Sequence, residues 1–120
     1  MNYVGIDIAK DFHVVTIIDD NEAKYYKKAF RVINSANGYQ FLIERLNKIS
    51  INKSDFIIGL EATGIYGKNL LEFLKVQGYN VKLLNPYQTK NYREQRTMKK
   101  VKNDNIDSYM IALFLKEDRY

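Results

Sequence analysis

The chain has no cysteine, one histidine and one proline among its 120 residues. Without thiols it forms no disulfide framework, no thiolate metal site and no cysteine nucleophile, and a reducing, cytoplasmic setting fits. No apolar run approaches the roughly 18 residues of a membrane span. The N-terminus also lacks the basic-then-apolar layout of a signal peptide. Charge of one sign is scarce over most of the length: residues 1–87 carry eleven basic and nine acidic side chains. The formal excess of +5 is therefore local. Residues 88–103 hold six basic side chains, Lys90, Arg93, Arg96, Lys99, Lys100 and Lys102, against one acidic, Glu94. What is present in quantity is apolar: 46% of residues, with 28% charged, suits one soluble domain over residues 1–120 with a real core.

The stretches "NYVGIDIA" and "FHVVTIID" are rich in β-branched residues and separated by Lys10 and Asp11, so they read as a hairpin. After the turn "DDNEA", "KYYKKAFRV" reads as a third strand nearer an edge. His13 is expected on the exposed side of its strand, and the ten tyrosines as strand and core-edge packing. The period then changes. Tyr39, Leu42, Ile43, Leu46 and Ile49 fall at helical spacing after the capping cluster "NSANG". "DFIIGLE" is a short continuous apolar run, as in a strand covered on both faces. "GIYGKNLLEFLKVQG" predicts a second helix with Leu70, Phe73, Leu74 and Gln77 on one face and Gly78 as its stop. "YNVKLLN" is a fifth strand, ended by Pro86. The basic stretch shows no clear apolar period and reads as loop or frayed helix. "DNIDSYMIALFLKED" closes the chain as a third helix, with Ile106, Met110, Leu113, Phe114 and Glu117 on one face.

The order βββαβαβα predicts an α/β fold, a mixed sheet with helices on both faces. Right-handed crossovers make the fourth and fifth strands parallel to the first. Asp7 and Glu61 then emerge at the carboxyl edge of the sheet, where open α/β sheets place their ligands. Charges there are costly to desolvate unless a cation offsets them. Asp104 and Asp107, three apart at a helix start, project from one side of it. Four carboxylates around one point suit Mg²⁺ or Mn²⁺, and two such ions about 4 Å apart suit in-line phosphoryl transfer. The basic segment would hold a polyphosphate backbone beside them.

Each feature also has a plainer explanation. Asp7 could simply approach solvent in a hairpin, while Glu61, Asp104 and Asp107 could cap helices. The basic patch could be a solvated loop. Two other functional classes stay open. One is an actin-like or sugar-kinase ATPase, whose first phosphate loop "GIDIAK" echoes, although Ile8, Ala9 and Lys10 are bulky for close backbone approach to phosphate. The other is a non-catalytic nucleic-acid-binding module using the basic segment alone.

Together, "VGIDIAKD", "GLEATGIYG", "LLNPYQTKNYR" and "KNDNIDSYMIA" resemble the N-terminal domain of the DEDD transposases, insertion-sequence recombinases related to the Piv invertases and guided by a bridge RNA. The likeness runs from about Tyr3 to Phe114. The usual K-T-D-x-x-D-A appears here as "KNDNIDS", with Asn103 and Ser108 as the departures. The resemblance implies a RuvC-like, RNase H-like fold and metal-binding catalytic acids at Asp7, Glu61, Asp104 and Asp107. It also implies Mg²⁺, DNA substrates, a non-coding guide RNA and, in the full-length protein, a homo-oligomer. Family members continue into a helical segment and a C-terminal domain with a serine nucleophile, so the chain is expected to be an N-terminal fragment not competent for recombination by itself. None of Ser35, Ser50, Ser54 and Ser108 carries the signature of an activated nucleophile.

Overall fold

In a computed structural model of the protein, the first hydrophobic run forms β1 (Asn2–Asp7) and the second forms β2 (Phe12–Ile18), antiparallel, with Tyr3 opposite Ile18 and Asp7 opposite Val14. The structure describes residues 1–62, 64–96 and 104–117. The expectations on Lys99, Lys100 and Lys102 lie outside these residues. β3 (Phe30–Ile33) pairs with β2, and β4 (Phe56–Glu61) and β5 (Asn80–Leu84) run parallel to β1, as the crossovers predict. The sheet order is β3-β2-β1-β4-β5. The third strand is shorter than the sequence suggests. Lys24 makes only an isolated bridge to Ile18, and the chain from there to Ala29 is irregular. Its tyrosines are held by side-chain contacts instead. The Tyr26 hydroxyl donates to the Arg45 carbonyl at 2.8 Å, and the Arg45 guanidinium lies over the rings of Tyr26, Phe30 and Phe41.

Helices cover both faces. On one, α1 (Ala36–Asn47) and α2 (Lys68–Val76) enclose Val4, Ile6, Val15, Ile17, Ile58 and Leu60. The Ser35 hydroxyl caps α1 by accepting from the Gly38 amide. Gly78 ends α2 at φ 96°, a conformation that favours glycine. On the other face, α3 (Pro86–Arg96) and α4 (Asp104–Lys116) pack over Ile18, Tyr3 and Ile57.

α3 corrects the expectation of a loop or frayed helix. Its start is well specified: Asn85 accepts from the Tyr87 amide at 2.9 Å, and Pro86 takes the first helical position, where no amide is required. The apolar period is missing because, among its residues whose burial is described, only Thr89 and Tyr92 are buried. α4 also differs from the single-faced helix expected, since Met110 to Leu115 are all buried. It lies on the middle of the sheet, and α3 covers its flank through the Tyr92–Phe114 ring contact.

The close seat of α4 depends on glycine. A Cβ on Gly5 would stand 2.1 Å from the Ser108 carbonyl oxygen and 2.5 Å from the Ala112 nitrogen. Ser108, one of the two departures from the motif, faces the sheet there. Its Oγ and that of Thr16 on β2 are 2.6 Å apart, and both residues are buried. Ser108→Ala strands the Thr16 hydroxyl without this partner and is expected to cost about 1–3 kcal/mol. Adding Thr16→Val should recover most of that loss in a double-mutant cycle read by urea denaturation.

His13 is fully buried, contrary to the exposed position expected for it. It lies on the α1/α2 side, and its Nδ1 accepts from the Ala9 amide at 3.2 Å. Burial holds the imidazole below its ordinary value, against a smaller opposing effect of Asn34. The unfolded chain takes up this proton at about pH 6.5, the folded chain only at lower pH. Stability is therefore full above about pH 6.5 and falls as acidification proceeds toward the folded value. As the chain has one histidine, His13→Leu should flatten the dependence of the thermal midpoint between about pH 7 and 5.5.

Candidate active site

The sheet register fixes which side the acids take. Gly5 and Gly59 are direct partners in the parallel β1/β4 pair. A Cβ on either would meet α4, Ser108 and Ala112 at Gly5 and the Leu115 methyls at Gly59. Side chains two residues on share a face. Asp7 and Glu61 therefore stand side by side at the carboxyl ends of neighbouring strands, on the α4 side. "GID" and "GLE" are the same device used twice: a glycine to admit the helix, then an acid at the rim. The repeated glycine-x-acid spacing was readable in the sequence, but its meaning needed the register.

α4 supplies the next acid. Asp107 immediately precedes Ser108 and is therefore at the helix end that overlies β1. Asp104 begins the same helix three residues earlier. Arg93 of α3 joins two of the acids. Its Nη1 donates to Asp107 Oδ1 at 3.2 Å and to Glu61 Oε1 at 3.4 Å. All three groups are partly withdrawn from water, with side-chain exposures of 13% for Glu61, 27% for Arg93 and 34% for Asp107. Burial pushes the Glu61 carboxyl above the ordinary glutamate range. Arg93 and a hydrogen bond from Thr89 pull it down, and Asp107 pushes it up. Thr89 is buried and was not singled out by sequence, where a threonine in a basic stretch carries no signal.

The basic residues divide. Lys90 is exposed on α3, Arg93 is turned onto the acids, and Arg96 ends α3. Among the described residues no group of three acids or histidines is gathered tightly enough to hold one ion. The donor chemistry nevertheless fits a hard cation. Two carboxylates from different elements already share one positive group, and every candidate donor is oxygen. An open cavity lined by Asn34, Tyr39, Asn69 and Phe73 lies between α1 and α2, on the other face of the sheet from the acids.

A five-stranded mixed sheet in this order, with helices on both faces and acids at the carboxyl edge, is the RuvC-like, RNase H-like class of fold. Solved structures that share it include two of RuvC. RuvC of T. thermophilus in complex with a Holliday junction substrate is 12% identical, with a TM-score of 0.64, over 99% of this chain and 95% of that one. A second Thermus thermophilus RuvC structure is 14% identical, with a TM-score of 0.60, over 99% and 96%. At such identities the likeness concerns the fold. The family assignment comes from sequence: the model of the DEDD transposases of the IS110 group, described as "Transposase", matches residues 4–120, and the chain belongs to that family. No curated protein matches it. None of the described helices is long and apolar enough to cross a membrane.

Proposed function

We propose that residues 1–120 form the metal-dependent catalytic domain of a DNA transposase, acting in DNA cleavage and strand exchange. The observation that carries this reading is the in-register placement of Asp7 and Glu61 on the face where Asp107 shares a cation with Glu61. Asp7, Glu61, Asp104 and Asp107 would hold one or two Mg²⁺ or Mn²⁺ ions. Such ions supply Lewis acidity and orient the attacking and leaving oxygens of a phosphodiester. Lys90 and the basic residues that follow α3, Lys99, Lys100 and Lys102, would hold the DNA backbone by charge beside the acids. Arg96 would contribute in the same way. A branched DNA substrate, such as the Holliday junction bound by T. thermophilus RuvC, is consistent with a site at an open sheet edge. A guide RNA and assembly into a homo-oligomer belong to the same reading and rest on the family resemblance. The Piv-related, bridge-RNA-guided subgroup is the form of it we favour.

The reading predicts a response to metal without substrate. Acids crowded at one rim repel one another, and an ion that binds only the folded state stabilises it. At 100 times its dissociation constant, Mn²⁺ should add about 2.7 kcal/mol. For a domain of this size that is a rise in thermal midpoint on the order of 10 °C. Asp7→Asn should remove much of the gain. A melting curve indifferent to millimolar Mg²⁺ and Mn²⁺ would return the acids to capping and solvent roles.

A further inference from the structure

We propose that Arg93 is the resident counter-ion of the carboxylate site, displaced when a divalent ion binds and thereby released toward the nucleic-acid backbone. The inference rests on the metal-dependent reading above and assigns Arg93 two alternating partners. One nitrogen, Nη1, lies between Asp107 Oδ1 and Glu61 Oε1 at 3.2 and 3.4 Å. Those are two of the oxygens a divalent ion would need. Mg²⁺ binds oxygen at about 2.0–2.1 Å, so the carboxylates would have to close around a point the guanidinium now fills. The two occupants exclude each other.

Arg93 Nη1 stands 3.2 Å from the Asp107 carboxylate and 3.4 Å from that of Glu61, longer than the shortest charge-assisted N–H···O bonds of about 2.7–2.9 Å. The side chain is more than a quarter exposed, which leaves it a way out. Its stem is on α3, the helix that carries exposed Lys90 one turn earlier. Residues three apart on a helix are surface neighbours, so a released Arg93 would join Lys90 on one face. Metal loading would in this way turn an internal ion pair into a phosphate contact, and the site would attract DNA more strongly once its ions are in place.

Two measurements on the 120-residue chain test this. The first is the arginine side-chain ¹⁵N–¹H spectrum, with the Arg93 signal assigned by its loss in Arg93→Gln. Without metal the signal should be shifted and protected from solvent exchange. Mg²⁺ should move it to the position of a free arginine, with the same midpoint as the backbone shifts near Glu61 and Asp107. The second is calorimetric titration with Mn²⁺. Arg93→Gln should bind about tenfold more tightly than the parent, because the competing charge is gone. An Arg93 signal that keeps its shift and protection at saturating Mg²⁺ would overturn the proposal, as would equal Mn²⁺ affinity in parent and variant. If the parent binds no divalent ion at all, the metal-dependent reading itself fails and the displacement falls with it. That outcome is distinct from metal binding with Arg93 unmoved.

Discussion

Gly5→Ala is expected to be among the most damaging single substitutions in the protein, although it adds one methyl group. The new Cβ would lie 2.1 Å from the Ser108 carbonyl oxygen and 2.5 Å from the Ala112 nitrogen. Both are backbone atoms of α4, so no side-chain rotation relieves the contact. α4 must lift from the sheet, and Met110 to Leu115, all buried, would lose packing along with it. Overpacking of a core usually costs about 1–3 kcal/mol, and a helix forced off its seat belongs at or above the top of that range. A loss of about 3 kcal/mol would lower the thermal midpoint by on the order of 10–15 °C. Gly59→Ala supplies the contrast. Its Cβ would meet the Leu115 methyls at 2.8 Å, and a leucine side chain can turn away. That variant should lose about 1 kcal/mol. Equal losses in thermal or urea unfolding would mean that α4 is not held by close backbone approach at Gly5.

The same pair of glycines shows how much of the site the sequence disclosed. Strand-end acids followed from apolar runs terminating in Asp7 and Glu61, and their parallel arrangement followed from the handedness of crossovers. The side of the sheet they face could not be read, because a one-residue slip in register reverses it. Gly5 opposite Gly59 resolves that choice. α3 was hidden for another reason. A helix buries itself legibly when it presents an apolar stripe, but this one spends its inward positions on Thr89, Tyr92 and Arg93. Arg93 is turned onto the acids and the Thr89 hydroxyl onto the Pro86 carbonyl, so the helix looks polar where it meets the site. The third strand is shorter than its composition suggests because the aromatic residues of this segment gather around Arg45 instead of joining a ladder. His13 departs from the average habit of histidine, which is partial exposure. Its strand is buried from His13 to Ile18, with helices covering both faces of the sheet.

Glu61→Gln should reduce metal-dependent nicking of supercoiled DNA by roughly 10²–10³-fold, the usual scale for removing one group that stabilises transition-state charge. The substitution keeps the shape of the side chain, so the fold should survive. What it removes is the negative charge offered to a cation. Asp107→Asn should act in the same direction, and both variants should retain DNA binding through Lys90 and the residues beyond α3. The pH profile adds a separate sign. Burial raises the Glu61 carboxyl, so it captures a proton earlier on acidification than an ordinary glutamate. Protonation competes with metal binding at this carboxyl, so the Mn²⁺ concentration needed for half-maximal nicking should rise as pH is lowered. Glu61→Gln should weaken that dependence in whatever activity it keeps. Conversion of supercoiled to open-circular plasmid in Mn²⁺, followed from about pH 5 to 8, measures both effects. Undiminished nicking by the purified Glu61→Gln variant would remove this acid from the chemistry and leave it as the partner that anchors Arg93.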